Sequence, residues 1–431
     1  MGKKVKKLKK KVAKLKAQLA AAQDHTFEVS PLAPLAFPDM PEIAGARFSA
    51  VNSGVKYVGR PDVMLAELQP GTAIAGVFTK SATRSAPVLD CQAKLGSDSS
   101  DGAAFLVNAG NSNAFTGAAG TGSVEAISSA VASTLGVPEN RVYTASTGVI
   151  GEPLPHERIV DRISELKDTL TPNAMKDAAQ AIRTTDTFPK GAKAEVKIGG
   201  RSVQIAGIAK GSGMIAPDMA TMLVFIFTDA KVAQDDLQAM LSDLNERSFN
   251  AITVDSDTST SDTLLLAATG ASGVEVERDH AGFRAALNEV MLDLAHQVVR
   301  DGEGATKFVE VRVTGAKTDA DAKTHALSIA NSPLVKTAVA GEDPNWGRVV
   351  MAIGKSGAYA DRDKLTIRFG DILVAEKGWV SPQYREEDGA GYMTQDELLI
   401  DVDLGVGDGQ ATVWTCDLTH AYIQINADYR S

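Results

Sequence analysis

Residues 210–223 read KGSGMIAPDMATML and continue into an apolar segment that ends at Phe227. The first part is rich in Gly and Pro, which favour turns, and the part from Thr221 onward is rich in apolar and β-branched residues, which favour strands. The pattern predicts a loop over Lys210–Met219 that leads directly into a buried strand over Thr221–Phe227. Thr221 is then the first residue of a core strand.

A threonine at this junction has a chemical interpretation as well as a structural one. Its hydroxyl is a weak nucleophile unless a base removes the proton. If the chain were cut before Thr221, the new α-amino group, with a pKa of about 7.7–8.0, would be a base beside the hydroxyl. No histidine is then needed, and the six histidines of this chain are scattered. On the segment alone, an ordinary strand residue is the better interpretation of Thr221.

The segments around this junction alternate between strand-like and helix-like patterns. Strands are predicted at Thr72–Phe78, Ala104–Asn108, Arg141–Ser146 and Val203–Ile208, and helices at Val124–Leu135, Pro155–Leu170, Asn173–Ile182, Gln234–Asn250 and His280–Asp301. From about Lys307 the chain is rich in predicted strands, at Val309–Val313, Leu365–Phe369, Leu398–Leu404 and Ala411–Asp417. We expect an α/β or α+β chain, with a main catalytic domain over residues 48–305 and a smaller C-terminal domain over residues 306–431.

The N-terminal residues 1–23 hold nine lysines and no acid, and apolar residues recur from Val5 to Leu19 at spacings of three and four. This spacing predicts a helix with one apolar stripe, although fewer than three heptads make a marginal coiled coil. We interpret the segment as a lysine-rich, solvated helical tail, with an oligomerisation arm or a surface anchor as alternatives. Prolines in residues 24–47 indicate an extended linker.

The composition narrows the class of function. The net charge is −10 in spite of the basic tail, and an acidic body does not suit nucleic-acid binding. No apolar run approaches the ~20 residues of a membrane-spanning helix, and no signal peptide is recognisable. Cys91 and Cys416 are too few for a disulfide framework and lack zinc-ligand spacing. We expect a cytoplasmic protein that handles small polar metabolites, without a nucleic-acid or membrane partner, a metal or a cofactor.

Further motifs occur in order along the chain. They are Asn108–Ala114 (NAGNSNA), Ala145–Gly151 (ASTGVIG), Thr184–Thr187 (TTDT), Asp255–Thr263 (DSDTSTSDT), Asp301–Lys307 (DGEGATK), Asn331–Lys336 (NSPLVK), Asp343–Arg348 (DPNWGR) and Asn426–Ser431 (NADYRS). Together with residues 210–223 they resemble the ornithine acetyltransferase family, also called glutamate N-acetyltransferases or arginine biosynthesis bifunctional ArgJ proteins. The resemblance covers roughly residues 28–431 and leaves out the lysine-rich tail.

The resemblance implies a layered α-β-β-α main domain, as in DmpA and ArgJ, with N-terminal-nucleophile chemistry. It implies self-cleavage between Ala220 and Thr221 into an α chain of residues 1–220 and a β chain of residues 221–431, which assemble as an α2β2 heterotetramer. Thr221 then carries the acetyl group of N2-acetyl-L-ornithine to L-glutamate in a ping-pong reaction. Some family members also use acetyl-coenzyme A as a substrate to acetylate glutamate.

The resemblance also implies roles for single residues. Thr147 and Gly148 would form an oxyanion hole, and a hydroxyl beside a glycine amide suits that chemistry. The residues expected to bind substrate are Thr184, Lys210, Thr221, Glu303, Asn426 and Ser431.

Two of these residues have a charge that fits the substrates. Lys210 would pair with a carboxylate and Glu303 with an ammonium group, although singly both look like solvated surface charges. Thr185 and Thr187 are alternatives to Thr184. The loop Asp255–Thr263 does not have the EF-hand spacing, and we interpret it as structural hydrogen bonding near the site.

Two other functions stay open at this stage. An aminopeptidase or amidase with an N-terminal nucleophile would share the chemistry of Thr221, with water in place of glutamate. A metabolite-binding or scaffold protein that dimerises through Val5–Leu19 would need no reaction at all.

Overall fold

The computed structural model describes residues 28–97, 99–217 and 222–427. The lysine-rich tail, the proposed cut between Ala220 and Thr221, and Ser431 lie outside these residues, so what was predicted for them stays a prediction. In the part of the chain that is described, no helix has the length and apolar character needed to cross a bilayer.

Strands and helices alternate along the described chain. The strands are β1 (Ala46–Val51), β2 (Val63–Leu68), β3 (Ala73–Phe78), β4 (Ala103–Asn111), β5 (Val142–Val149), β6 (Lys190–Ile198), β7 (Arg201–Lys210), β8 (Leu223–Thr228), β9 (Lys231–Val232), β10 (Thr263–Ala268), β11 (Glu275–Val276), β12 (Phe308–Ala316), β13 (Thr366–Phe369), β14 (Ile372–Glu376), β15 (Trp379–Val380), β16 (Glu397–Asp403) and β17 (Gly409–Cys416). The helices are α1 (Ala86–Lys94), α2 (Gly117–Leu135), α3 (His156–Val160), α4 (Ile163–Asp168), α5 (Met175–Ala181), α6 (Gln234–Asn245), α7 (Ala281–Arg300), α8 (Asp319–Ala330), α9 (Pro333–Ala340), α10 (Trp346–Gly354), α11 (Glu386–Met393) and α12 (His420–Ala427).

Two sheets form the main body of the fold. The first has the order β1-β2-β4-β5, and the second has the order β3-β10-β8-β7-β6. Strand β8 is central in the second sheet, antiparallel to β7 and parallel to β10. Both neighbours pair along its whole length, so β8 has no free edge.

The sequence of β8 explains why the two sheets stack. Side chains of a strand alternate between the two faces, and here both faces are buried. Phe225 and Phe227 point toward the first sheet, where the Phe225 ring lies 6.1 Å from that of Phe105 and the Phe227 ring 4.9 Å from that of Phe48. Val224 and Ile226 point away, into the core that the second sheet shares with α6 and α7. An uninterrupted apolar run is what such a doubly covered strand requires.

The first sheet is covered on its outer face by helices as well. Leu65 and Leu106 of this sheet pack with Ile127 of α2 and Leu166 of α4 in a separate apolar cluster. The layers are therefore helix, sheet, sheet, helix, and the predicted layered α-β-β-α architecture is confirmed.

The C-terminal part forms a sheet of its own, in the order β15-β14-β13-β16-β12-β17. Its core joins apolar residues of β12, β13 and β16 to helices α8, α9 and α10. The last helix, α12, leaves this sheet and returns to the main body, where Asn426 meets Glu303. The boundary at residues 305/306 stays a prediction.

Some predicted elements differ from the structure. Pro155–Leu170 was expected as one helix and is instead the two helices α3 and α4, although Ile159 and Ile163 are still buried on one side. The helix predicted over Gln234–Asn250 ends at Asn245, and a short 3-10 turn follows at Phe249–Ala251. The C-terminal third also contains five helices that its β-branched composition did not predict.

Candidate active site

A cavity of about 250 Å³ opens between the ends of both sheets and the C-terminal helix. It is lined by Ser112, Thr147, Gly148, Val149, Ile150, Thr184, Thr185, Lys210, Gly213, Met214, Ser259, Thr260, Ser261, Glu303 and Asn426. The cavity therefore brings together six residues that were singled out from sequence: Thr147, Gly148, Thr184, Lys210, Glu303 and Asn426. These six residues come from distant parts of the chain and share one site.

Thr147 and Gly148 lie near the end of β5, where it pairs with β4. Gly148 has a φ of +132°, a conformation that side chains rarely adopt, and a Cβ there would come within 2.3 Å of the carbonyl carbon of Gly110. Only glycine fits this close approach of two strands. Ser146 Oγ lies 2.7 Å from Asn108 Oδ1, which fixes the strand end just before Thr147.

Lys210 is the last residue of β7 and is 3% exposed, so it is not the solvated surface charge that its sequence context suggested. Burial lowers the pKa of its ammonium group, and the Asp186 carboxylate opposes that shift. Among the described residues, the Lys210 ammonium has no hydrogen bond or ion pair. A buried ammonium without such a partner is suited to bind an anionic group of a substrate.

A buried charge cluster supports the strand end that carries Lys210. Lys190 Nζ lies 2.7 Å from Oδ1 of Asp186 and 2.6 Å from Oδ2 of Asp301. Asp186 Oδ1 also accepts the N–H of Gly211, at 2.7 Å. Burial alone would raise the pKa of Asp186, but Lys190 and Lys210 hold it below its usual value. The motif TTDT includes Asp186, but the sequence did not predict that Asp186, Lys190 and Asp301 form a buried charge cluster.

The three threonines of that motif have different surroundings. Thr184 and Thr185 line the cavity, and Thr185 Oγ1 lies 2.6 Å from Ser212 Oγ. Thr187 instead donates through its backbone N–H to Asp301 Oδ2 at 3.0 Å, which holds it in the charge cluster.

Glu303 lies in the loop between α7 and β12 and lines the cavity. Its Oε2 accepts a hydrogen bond of 2.7 Å from the side-chain amide of Asn426, and burial raises the pKa of the Glu303 carboxyl. A Cβ at Gly213 would lie 2.4 Å from the same oxygen, so the glycine loop leaves room for this carboxylate.

The acid-rich loop Asp255–Thr263 is a hydrogen-bonding element, as predicted. Asp255 accepts the N–H groups of Met214 and Ile215, at 2.6 and 2.9 Å, and Asp262 accepts that of Met222 at 2.7 Å. The loop thus holds both ends of the segment that contains residues 218–221. Within the described ranges, no group of three or more His, Cys, Asp or Glu side chains could hold a metal ion.

Comparisons with known proteins identify the family of this chain. The model of the ArgJ family matches residues 47–431. The arginine biosynthesis bifunctional protein ArgJ of Ruegeria pomeroyi is 70% identical over 404 residues, which is 94% of this chain and 99% of the relative. The protein of the same name from Gluconobacter oxydans is 55% identical over 408 residues, covering 93% of this chain and 96% of the relative.

Solved structures of similar proteins were also found. The arginine biosynthesis bifunctional protein ArgJ of Bacillus halodurans has 41% identity and a TM-score of 0.46, covering 48% of this chain and 98% of that one. The ornithine acetyltransferase of Mycobacterium tuberculosis, complexed with ornithine, has 31% identity and a TM-score of 0.35, covering 41% of this chain and 92% of that one. On the match of the family model and the identity to full-length relatives, this chain belongs to the ArgJ family.

Proposed function

We propose that this chain is an acetyltransferase of arginine biosynthesis, which cuts itself before Thr221 and moves an acetyl group from N2-acetyl-L-ornithine to L-glutamate. The observation that carries the proposal is the cavity, because six residues expected from the family resemblance line it although they come from distant parts of the chain. The names of the relatives support the same pathway.

Self-cleavage is the first step. The hydroxyl of Thr221 attacks the carbonyl carbon of Ala220, the C–N bond breaks, and an ester joins the two residues. Water hydrolyses the ester and leaves Thr221 as the N-terminus of a β chain. The hydrogen bonds from Met214, Ile215 and Met222 to the loop Asp255–Thr263 support this step, because they fix the chain on both sides of the cut.

Acetyl transfer then uses the freed threonine. Its α-amino group takes the hydroxyl proton while the oxygen attacks the acetyl carbonyl of N-acetylornithine. The tetrahedral intermediate carries a negative oxygen, which the hydroxyl of Thr147 and the N–H of Gly148 stabilise. Ornithine leaves with the proton on its nitrogen, and the amino group of glutamate attacks the acetyl-threonine in the second half of the reaction.

Charges in the cavity support the choice of substrate. N-acetylornithine and glutamate both have an α-carboxylate, which the buried Lys210 ammonium binds. Both also have an ammonium group, for which Glu303 is the acidic partner in the cavity lining. Thr184, Asn426 and Ser431 complete the substrate-binding set.

Acetyl-coenzyme A is proposed as a second acetyl donor. The relatives at 70% and 55% identity are both called bifunctional, which supports the addition of a second activity to the transfer from N-acetylornithine. Acetyl-coenzyme A would act here as a substrate, and no cofactor is proposed. We also propose assembly of two α and two β chains, and action in the cytoplasm.

One experiment tests the core of the proposal. Purified protein should show two fragments on denaturing electrophoresis, with an N-terminal Thr221 found by mass spectrometry. It should release more than one equivalent of ornithine from N-acetylornithine only when glutamate is present, because the acetyl-threonine must be cleared before a second turnover. Thr221→Ala should stay in one piece and be inactive. An intact chain that transfers acetyl groups would refute self-activation, and ornithine release at an equal rate without glutamate would favour an amidase.

A separate assay tests acetyl-coenzyme A as an acetyl donor. Glutamate is offered with acetyl-coenzyme A alone, and formation of N-acetylglutamate is measured against the same protein supplied with N-acetylornithine. Absence of product from acetyl-coenzyme A would restrict the enzyme to recycling the acetyl group.

A further inference from the structure

Self-cleavage cannot use the base that serves the mature enzyme. In the intact chain the nitrogen of Thr221 belongs to a peptide bond, so its lone pair is delocalised and does not accept a proton. The α-amino group exists only after the bond to Ala220 has been broken. A different group must therefore take the proton of the Thr221 hydroxyl in the first step.

Asp262 lies beside the residue that follows the nucleophile. Strands β8 and β10 run parallel with Leu223 opposite Thr263, so the residues before them, Met222 and Asp262, are neighbours too. The N–H of Met222 donates to Asp262 Oδ1 at 2.7 Å, and the N–H of Thr263 donates to the Met222 carbonyl at 3.2 Å. Because the nitrogen of Met222 is bonded to residue 221, the carboxyl group lies one residue from the nucleophile.

The two oxygens of this carboxyl group have different surroundings. Asp262 is fully buried, and its Oδ2 has no hydrogen-bond partner among the described residues. Buried polar atoms of native proteins nearly always have a partner, so an exception calls for an explanation. The hydrogen bond from the backbone N–H of Met222 to Oδ1 fixes the carboxyl group in place. Oδ2 can then accept a proton.

The surroundings of Asp262 also suit a base. Burial raises its pKa well above the usual value, while the hydrogen bond from Met222 and the charge of Lys210 act in the opposite direction. A carboxylate whose pKa lies nearer to neutral pH is a more effective base than an ordinary one. Among the described residues, Lys210 on β7 is the charged group that acts on it, and it favours the ionised form that can take up a proton.

We propose that Asp262 is the base for self-cleavage, an inference that rests on the proposed function. Its carboxylate takes the proton of the Thr221 hydroxyl while that oxygen bonds to the carbonyl carbon of Ala220. When the C–N bond then breaks, the same proton passes to the leaving nitrogen, and Asp262 returns to the carboxylate form. The products are the ester and a free α-amine, and water hydrolyses the ester.

The test follows the loss of the intact chain. Full-length protein is pulse-labelled in a cell-free system and transferred to a series of buffers from about pH 5 to pH 9, which brackets neutral pH, where a general base works best. Asp262→Asn still accepts the N–H of Met222, and it should cut at least about 100-fold more slowly, since a general base contributes about 10²–10⁴-fold. Asp257→Asn, exposed on the same loop, should cut at the wild-type rate.

Three further readouts separate a proton acceptor from a structural residue. The wild-type rate of cutting should rise with pH along the titration of one group, and this rise should be missing in Asp262→Asn. Formate should restore cutting to Asp262→Ala, where it can occupy the vacated space, but should not accelerate Asp262→Asn. A role in folding alone predicts no rescue.

Each outcome has a distinct meaning. Wild-type cutting that does not change with pH, or an Asp262→Asn chain that cuts at the wild-type rate, would overturn the inference. A wild-type rate that stays flat over this pH range would overturn the inference even if both variants fail to fold, whereas a rise with pH is assigned to Asp262 only when Asp262→Asn lacks it. A wild-type chain that never cuts would instead refute the proposed function, so the two failures cannot be confused.

Discussion

The carboxylate of Glu303 accepts a 2.7 Å hydrogen bond from the side-chain amide of Asn426, and this contact joins the loop after α7 to the C-terminal helix α12. The same amide donates to the carbonyl of Tyr422 at 3.0 Å, and the hydroxyl of Tyr422 donates to Asp255 at 3.1 Å. A chain of hydrogen bonds thus runs from one cavity wall, through the last helix, to the loop beside the proposed cut. The C-terminal helix is therefore part of the site.

Replacing Glu303 by Gln should weaken substrate binding more than it disturbs the fold. The glutamine oxygen still accepts the hydrogen bond from Asn426, but the negative charge proposed to bind the substrate ammonium is lost. A hydrogen bond to a charged group contributes about 1.5–3 kcal/mol, so kcat/KM for N-acetylornithine should fall about 10–100-fold. Glu125→Gln, on the exposed side of α2, is the matched control and should leave kcat/KM unchanged. Equal kcat/KM values for both variants would remove Glu303 from the binding set.

Replacing Gly148 by Ala should abolish the proposed oxyanion hole. The added Cβ would lie 2.3 Å from the carbonyl carbon of Gly110, so the two strands must move apart where Thr147 and Gly148 face the cavity. Loss of one oxyanion donor typically costs about 10²–10³ in rate, and we expect a fall in kcat of that size. Gly151→Ala is the control, because Gly151 also has a positive φ, +85°, but no atom within 4 Å of its Cβ position. If kcat fell equally in Gly148→Ala and Gly151→Ala, the loss would come from backbone strain and not from the oxyanion hole.

The sequence predicted the core strands because their patterns are local. The run from Leu223 to Phe227 is apolar at every position, and such a run has few alternatives to a strand covered on both faces. Strand β6 escaped prediction because charged residues alternate with Val196 and Ile198 along its exposed half, which looks like a solvated segment. Its pairing with β7, which spans Lys190 to Ile198, is set by tertiary contacts.

The candidate site was predictable only through the resemblance. Lys210 and Glu303 look like ordinary surface charges when taken singly, and their position in one cavity depends on how distant strands meet. Asp186 and Asp301 were missed for the same reason, since they are 115 positions apart and both contact Lys190. A charged residue between apolar neighbours could have indicated that its side chain is buried. Such a pattern does not show which residue of opposite charge it contacts.

Stability should fall in acid through a half-buried histidine, His296. His296 lies between the rings of Phe308 and Trp414, with ring centroids 5.2 and 4.6 Å away. Burial and the nearby Arg300 lower the pKa of His296 to about 4. Because the unfolded chain has the higher pKa, it binds more protons between about pH 6.5 and pH 4, and the folded state loses stability as the pH falls through this range.

The measurement is urea unfolding at two pH values. From pH 7 to pH 5, the pKa difference predicts a loss of roughly 2 kcal/mol from His296 alone. His296→Phe keeps an aromatic ring in place. Between pH 7 and pH 5 its free energy of unfolding should fall less than that of wild type, by about the amount assigned to His296. His420→Gln, at an exposed position, should behave like wild type. An unchanged pH dependence in His296→Phe would mean that other groups cause the acid sensitivity.

Removing Lys190 should be the most destabilising of these changes. Its ammonium is fully buried and lies within 2.7 Å of two carboxylates, those of Asp186 and Asp301. In Lys190→Met both acids would be left in the interior without their shared cation, and loss of one partner of a buried ion pair typically costs about 3–5 kcal/mol. Lys197→Met changes an exposed lysine of the same strand and should stay within about 0.5 kcal/mol of wild type.

The pH dependence of the stability lost in Lys190→Met shows whether uncompensated charge causes the loss. In Lys190→Met the carboxyl groups of Asp186 and Asp301 should have raised pKa values, because burial then acts on them without the Lys190 charge. Protonation relieves the penalty, so the stability gap to wild type should be widest at neutral pH and should narrow as the pH falls through those raised values. Urea unfolding at pH 7 and pH 5 measures both gaps. A gap of equal size at the two pH values would point to lost packing around Phe188, whose ring centroid lies 4.8 Å from the Lys190 ammonium, and not to uncompensated charge.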